Sequence, residues 1–134
     1  MVRVLALFVA LATTAAAQAA APDFHVIVNR SSQVVSLSRA EVSAIFMRRA
    51  PQWMPVDQAP ASHVREHFSR AIHGKSVAYV IRYWQRLIFA GRALPPPEVR
   101  SDAAVVEFVK KHPSAIGYIA SEPPADVKVI AVTP

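Results

Sequence analysis

Apolar positions along this chain follow two rhythms: short unbroken runs and stripes at helical spacing. Phe24 to Val28 is a near-continuous apolar run with β-branched residues, which predicts a buried strand, and Asn29 to Gln33 reads as a turn. Ser38 followed by Glu41 is a capping-box pattern. It predicts a helix over Arg39 to Arg48 with Val42, Ile45 and Phe46 on its apolar face, closed by Arg48 and Arg49 and stopped by Pro51. Trp53 to Val56 reads as a short strand leading into Asp57. Ser62 is the expected N-cap of a helix over His63 to Ile72, with Val64, Phe68, Ala71 and Ile72 inward and Gly74 at its end. Ser76 is the expected cap of the longest helix, to Phe89. There Val77, Val80, Ile81, Trp84, Leu87 and Ile88 keep the 3.6-residue period, and Gly91 suits the position after the C-cap. Arg92 to Pro97 (RALPPP) is a stiff, extended connector. Ser101 and Asp102 open a further helix to Lys111, with Val105, Val106, Phe108 and Val109 inward. Strands are predicted over Ile116 to Ile119 and Val127 to Val132, joined by the Pro-rich loop Glu122 to Ala125.

The order is β-α-β-α-α-α-β-β, an α/β layer. There is no internal repeat, and Pro95 to Pro97 is too short to divide the chain. Within this order the stretch Pro55 to Ile72 draws attention. It is a strand end, then Asp57, then a loop, then a helix opened by Ser62. A strand feeding a helix N-terminus gathers unpaired N–H groups and the positive end of the helix dipole at one spot, which suits an anion.

Composition narrows the setting. Met1 to Arg3 is a short basic start, Val4 to Ala12 an apolar run, and Ala17-Gln18-Ala19 an A-x-A cleavage site. Together they predict a secretory signal peptide over residues 1–19, the apolar run being too short to span a bilayer. The expected mature chain, residues 20–134, is a single domain with no later membrane span, and the expected location is the periplasm. None of the 134 residues is Cys, so stability rests on packing, and thiol-based metal or redox sites are excluded. The formal net charge of +6 comes from 15 Lys and Arg against 9 Asp and Glu, spread along the chain. A diffuse basic excess fits attraction to small anions or acidic envelope surfaces. Nucleic acid is not expected as a partner, since no RNP, helix-turn-helix or zinc pattern is present.

Several side chains invite chemistry. Ser62, His63 and Arg65 offer a hydroxyl, a ring and a cation at the helix start, although an ordinary Ser N-cap with surface neighbours has the same pattern. His63-Val64-Arg65-Glu66-His67 matches H-x-x-E-H, which places two His on one helix face. No third ligand is evident beyond the distant candidates His73 and Glu122, and surface histidines flanking an apolar stripe explain the spacing as well. Arg92, after Gly91, either points into a cleft or caps the preceding helix. Tyr79 and Tyr83, one turn apart and off the main apolar stripe, fit either the edge of the core or a partner surface. No nucleophile elbow or triad pattern appears, and no cofactor is implied, so the chain is not expected to be an enzyme.

Taken together, VIVN (Val26 to Asn29), LSRAEVSAIF (Leu37 to Phe46), PVD (Pro55 to Asp57), REHFSRAIHGKS (Arg65 to Ser76), YWQRLIFAGRALPPP (Tyr83 to Pro97) and FVKKHPSAIGYIA (Phe108 to Ala120) resemble a known family. These are the small single-lobe members of the type 2 periplasmic-binding-protein superfamily, the phosphate ABC transporter substrate-binding-like proteins. The resemblance implies one lobe of that α/β fold, a mixed sheet of about four to five strands covered by about four helices. It also implies solute uptake or sensing, with phosphate or another small oxyanion as ligand. Against the family's phosphate loop, an Arg followed by Asp-Gly-Ser-Gly-Thr, Asp57 aligns with the acid and Ser62 with the helix-opening hydroxyl. The Arg is replaced by Pro55 or Val56 and both glycines are gone, so backbone approach and bidentate charge are reduced. The alignment and the side chains at the helix start and after Gly91 together give the candidate anion-binding set Asp57, Ser62, His63, Arg65 and Arg92. The other expectation is a protein-interaction module that docks on an envelope partner, or on itself, through the face a second lobe would cover.

Overall fold

The structure is a computed structural model and describes residues 23–134; the expected signal segment lies outside the described residues. Its centre is a four-stranded mixed sheet in the order β3-β6-β1-β7. The strands are β1 (His25–Asn29), β3 (Met54–Pro55), β6 (Ala115–Ile119) and β7 (Val127–Val129). β1 runs antiparallel to β6, with His25 opposite Ile119 and Val28 opposite Ile116, and antiparallel to β7 on its other side. The edge strand β3 runs parallel to β6. Pro55 is tolerated there because an edge strand does not need every N–H in the ladder.

Helices cover both faces of this sheet, which is why β1 and β6 read as continuous apolar runs rather than alternating ones. On one face Val26, Val28, Ile116 and Tyr118 meet α1 (Arg39–Phe46) through Val42, Ile45 and Phe46. They also meet α2 (His63–Phe68) through Val64 and Phe68. On the other face Ile27, Ala115 and Ile119 meet Val105 and Val109 of α4 (Asp102–Lys111). Gly117 is fixed by this second contact. A Cβ there would lie 2.5 Å from Val105 Cγ1, so only glycine lets α4 sit so close to β6.

The helices begin where the sequence places them. Ser38 and Glu41 form the complete capping box of α1. Ser76 caps α3 (Val77–Phe89) by accepting from Tyr79 N–H, and Ser101 caps α4 by accepting from Ala104 N–H. Gly74 and Gly91 both take φ 66° after helix ends. Gly91 N–H donates to Ile88 O and Arg92 N–H to Leu87 O, the paired closure of a Schellman motif.

Four features differ from the sequence expectation. α1 ends at Phe46, because Arg48 turns left-handed (φ 60°) instead of prolonging the helix. The helix expected over His63 to Ile72 changes at Ser69 into a π-helical turn, Ser69–His73. The strand expected over Trp53 to Val56 shrinks to β3, and two short strands appear instead. These are β4 (Asp57–Gln58) and β5 (Glu98–Val99), paired in parallel. The strand expected over Val127 to Val132 is broken in two. β7 stays in the main sheet, while β8 (Ala131–Thr133) pairs in parallel with β2 (Ser36–Ser38). These pairings join segments far apart in sequence and leave no local periodicity.

Candidate functional site at the Asp57 loop

The loop between β4 and α2 is built on a buried polar network. Asp57 and Arg65 are only 7% and 4% exposed, so each needs partners inside the protein. The Asp57 carboxylate accepts the Tyr118 hydroxyl and the Gln58 N–H (2.9 Å), and Arg65 Nε lies 3.4 Å from it. The Arg65 guanidinium donates through one terminal nitrogen to the Gln58 carbonyl (2.8 Å) and to Glu98 Oε1 (2.9 Å). Gln58 extends the network. Its amide donates to the Tyr118 carbonyl (3.0 Å) and to Asp102 Oδ1 (2.8 Å), and its side-chain oxygen accepts from the Ser62 hydroxyl (3.3 Å). The main chain is tied down as well, through Asp57 N–H to Pro97 O (2.9 Å) and Ala59 N–H to Val99 O (3.0 Å).

Electrostatics follow from this burial. Burial pushes the Asp57 carboxyl above its ordinary range, against the opposing pull of Arg65 and of the hydrogen bonds from Tyr118 and Gln58. The Tyr118 hydroxyl is driven far upward by burial and by the Asp57 charge, so it stays protonated and donates. Asp102, in the first turn of α4, is partly buried, which raises its pKa. Hydrogen bonds from Gln58, Ser121 and Ala120 outweigh that and hold it low. Nearby, between α1 and the π-helical turn, His73 Nδ1 lies 2.8 Å from the Ser43 hydroxyl. Burial, with the Arg65 charge second, lowers His73 to about 4, so the ring is neutral at physiological pH.

The structure thus brings together three of the five residues singled out in the sequence, Asp57, Ser62 and Arg65. His63 is exposed in the first turn of α2. Arg92 is exposed at the end of α3, and no hydrogen bond or ion pair links it to residues 57–65 among the described residues. Arg65 does not stand open to solvent; its guanidinium is shared between Asp57 and Glu98. Ser62 occupies the N-cap position of α2 but makes no capping bond, its hydroxyl being turned to Gln58. The H-x-x-E-H residues are engaged separately. Glu66 binds Arg70 Nε (2.6 Å) and accepts the Val77 N–H (3.3 Å), while His67 Nδ1 lies 3.8 Å from Asp23. Among the described residues no three His, Asp or Glu side chains are grouped to hold a metal ion. Sequence reasoning missed Tyr118, Gln58 and Glu98. Strand alternation puts Tyr118 on the α2 face, but nothing local says that its hydroxyl reaches Asp57.

Several solved structures share this architecture. The chain is similar to an ABC-type phosphate transport receptor from Vibrio cholerae, with 17% identity and a TM-score of 0.64, over 82% of this chain and 46% of that one. It is similar to a putative phosphate ABC transporter substrate-binding protein with bound phosphate from Clostridium perfringens, with 16% identity and a TM-score of 0.64, over 82% and 44%. A possible phosphate binding protein from Planctomyces limnophilus matches with 16% identity and a TM-score of 0.60, over 83% and 41%. The chain therefore has the α/β fold of a periplasmic-binding-protein lobe and spans less than half the length of these structures. No protein-family model matches it, and no curated protein matches it in sequence.

Proposed function

We propose that residues 20–134 form an exported one-lobe domain of the phosphate-receptor type. It acts in the periplasm in solute uptake or sensing, and it binds phosphate or another small oxyanion weakly at the first turn of α2. The observation that carries this reading is the missing cap. Ser38, Ser76 and Ser101 each accept a first-turn N–H of their helix, whereas Ser62 does not. No side chain therefore caps the first-turn N–H donors of α2, which sit beside the loop that aligns with the phosphate loop of the family. Ser62 and the exposed His63 would complete the contact; Arg65, held by Asp57 and Glu98, positions the loop from beneath. Arg92 remains outside this set. With no free guanidinium and no glycine in the loop, the expected affinity is millimolar.

Thermal unfolding with added phosphate or sulfate tests the proposal. A ligand at about ten times its Kd stabilises the native state by about 1.4 kcal/mol. For a domain of this size that is a rise of about 5 °C in Tm. The expected result is a saturable rise that chloride at matched ionic strength does not reproduce. No rise at about 50 mM of either anion would overturn it, because such a ligand would have to bind more weakly than millimolar.

A second reading, a docking module, is favoured by a separate observation. Phe89 is 92% exposed at the end of α3, and Ile88 and Leu94, near it in sequence, are exposed as well.

A further inference from the structure

The longest helix carries surface that neither the Asp57 loop nor the sheet core uses. Its buried residues Val77, Val80 and Trp84 belong to neither of the two core clusters, and the helix leans chiefly on the π-helical turn before it. Its outer face is formed by Tyr79, Arg82, Arg86 and Phe89, spaced three, four and three residues apart and so aligned along one side. Phe89 is 92% exposed, which leaves its ring in water to nearly the extent of an unfolded chain. Ile88, about 100° round the helix from Phe89, and Leu94, in the connector that follows, are exposed as well.

The segment that carries the Phe89 tip has charge of one sign. From residue 67 to residue 97 there is no Asp or Glu, while Arg70, Lys75, Arg82, Arg86 and Arg92 all fall in that interval. Among the described residues Arg82, Arg86 and Arg92 have no carboxylate within ion-pair distance, and Lys75 Nζ stands 4.8 Å over the Tyr79 ring. An apolar aromatic tip flanked by uncompensated arginines has the two parts of an interfacial anchor. One enters the boundary between headgroups and acyl chains, and the other meets lipid phosphates. A second copy of this chain fits the same face poorly, since it would bring arginine against arginine.

We infer that the end of α3 docks on an anionic lipid bilayer. Phe89 enters the interface, and Arg82, Arg86 and Arg92 pair with lipid phosphates. This surface is separate from the α2 turn, so docking and oxyanion binding stand or fall independently.

Co-sedimentation of the purified protein with vesicles tests this inference, comparing phosphatidylglycerol-containing vesicles with pure phosphatidylcholine. Binding is expected to the anionic vesicles only and to fall as salt rises. Phe89→Ser should lower the partition coefficient about tenfold. Each of Arg82→Gln, Arg86→Gln and Arg92→Gln should lower it about fivefold. All four side chains are exposed, so unchanged circular dichroism and Tm are expected and would separate lost docking from lost folding. Every variant keeps the same first 22 residues, so differences between them report α3. Equal binding to both vesicle types, no binding to either, or binding untouched by the α3 variants would overturn the inference. So would a dimer that Phe89→Ser dissolves while the protein ignores vesicles, since the face would then be a self-interface.

Discussion

Arg65 and the arginines of α3 have the same chemistry and opposite surroundings. Arg65 is buried, with Asp57, Glu98 and the Gln58 carbonyl sharing its guanidinium. Arg82 and Arg86 are exposed on a stretch that has no acid of its own. A buried charge must be answered inside the protein, so Arg65 serves the fold. A solvated charge costs little to leave unanswered, so the α3 arginines remain available to something outside the chain. The difference separates the α2 region, whose charges are spent internally, from the α3 region, whose charges and apolar tip face outward. A residue type alone would not have told the two apart.

The largest test of this contrast is removal of the buried cation. Arg65→Leu leaves Asp57 buried without its counter-charge and is expected to cost about 3–5 kcal/mol. Arg86→Gln should stay within about 0.5 kcal/mol of the parent. Urea unfolding of the two variants gives the comparison directly, and equal losses would break it. The deficit of Arg65→Leu should also depend on pH in a defined direction. Asp57 already has a raised pKa in the folded state, and loss of Arg65 raises it further. A raised folded pKa means stability that is present in acid and lost as pH rises, so the deficit should shrink on acidification.

His73 supplies a second, smaller test on the same interior side. Its folded pKa of about 4 lies below the ordinary 6.5, so the folded state binds fewer protons than the unfolded one. That contribution is complete above pH 6.5 and is lost as pH falls through about 4. Its full size is about 3 kcal/mol. In His73→Gln, which keeps a partner for Ser43, the difference between the two stability–pH curves should show this loss. Parallel curves over that range would show that the ring is not held neutral by burial.

The smallest test compares two serines. Ser76→Ala removes the cap of α3 and should cost about 1 kcal/mol. Ser62→Ala removes only the 3.3 Å bond to Gln58 and should cost about half as much or less. Equal costs would mean that Ser62 caps α2 in solution, and the open turn that supports oxyanion binding would be gone.

Much of the fold is legible in the sequence. The starts of α1, α3 and α4 follow from Ser38, Ser76 and Ser101, because a serine cap acts on N–H groups within its own turn. Gly91 ends α3 for an equally local reason. The buried strands β1 and β6 are visible as unbroken apolar runs. The candidate site was legible only as a place. Asp57, Ser62 and Arg65 do come together, but Arg65 reads in the sequence as an available cation and is in fact a buried one.

What the sequence by itself determined is local: caps, glycine stops, apolar faces and the one-signed charge of residues 67–97. Each depends on neighbours a turn or less apart along the chain, or on composition alone. What tertiary structure alone decided is the pairing of distant segments. β4 with β5 brings Glu98 to Arg65, and β6 brings the Tyr118 hydroxyl to Asp57. Ion pairs and hydrogen bonds act over about 3 Å in space whatever the separation in sequence. The fate of Arg65 was therefore fixed by which strands met, and the openness of the α3 arginines by which did not.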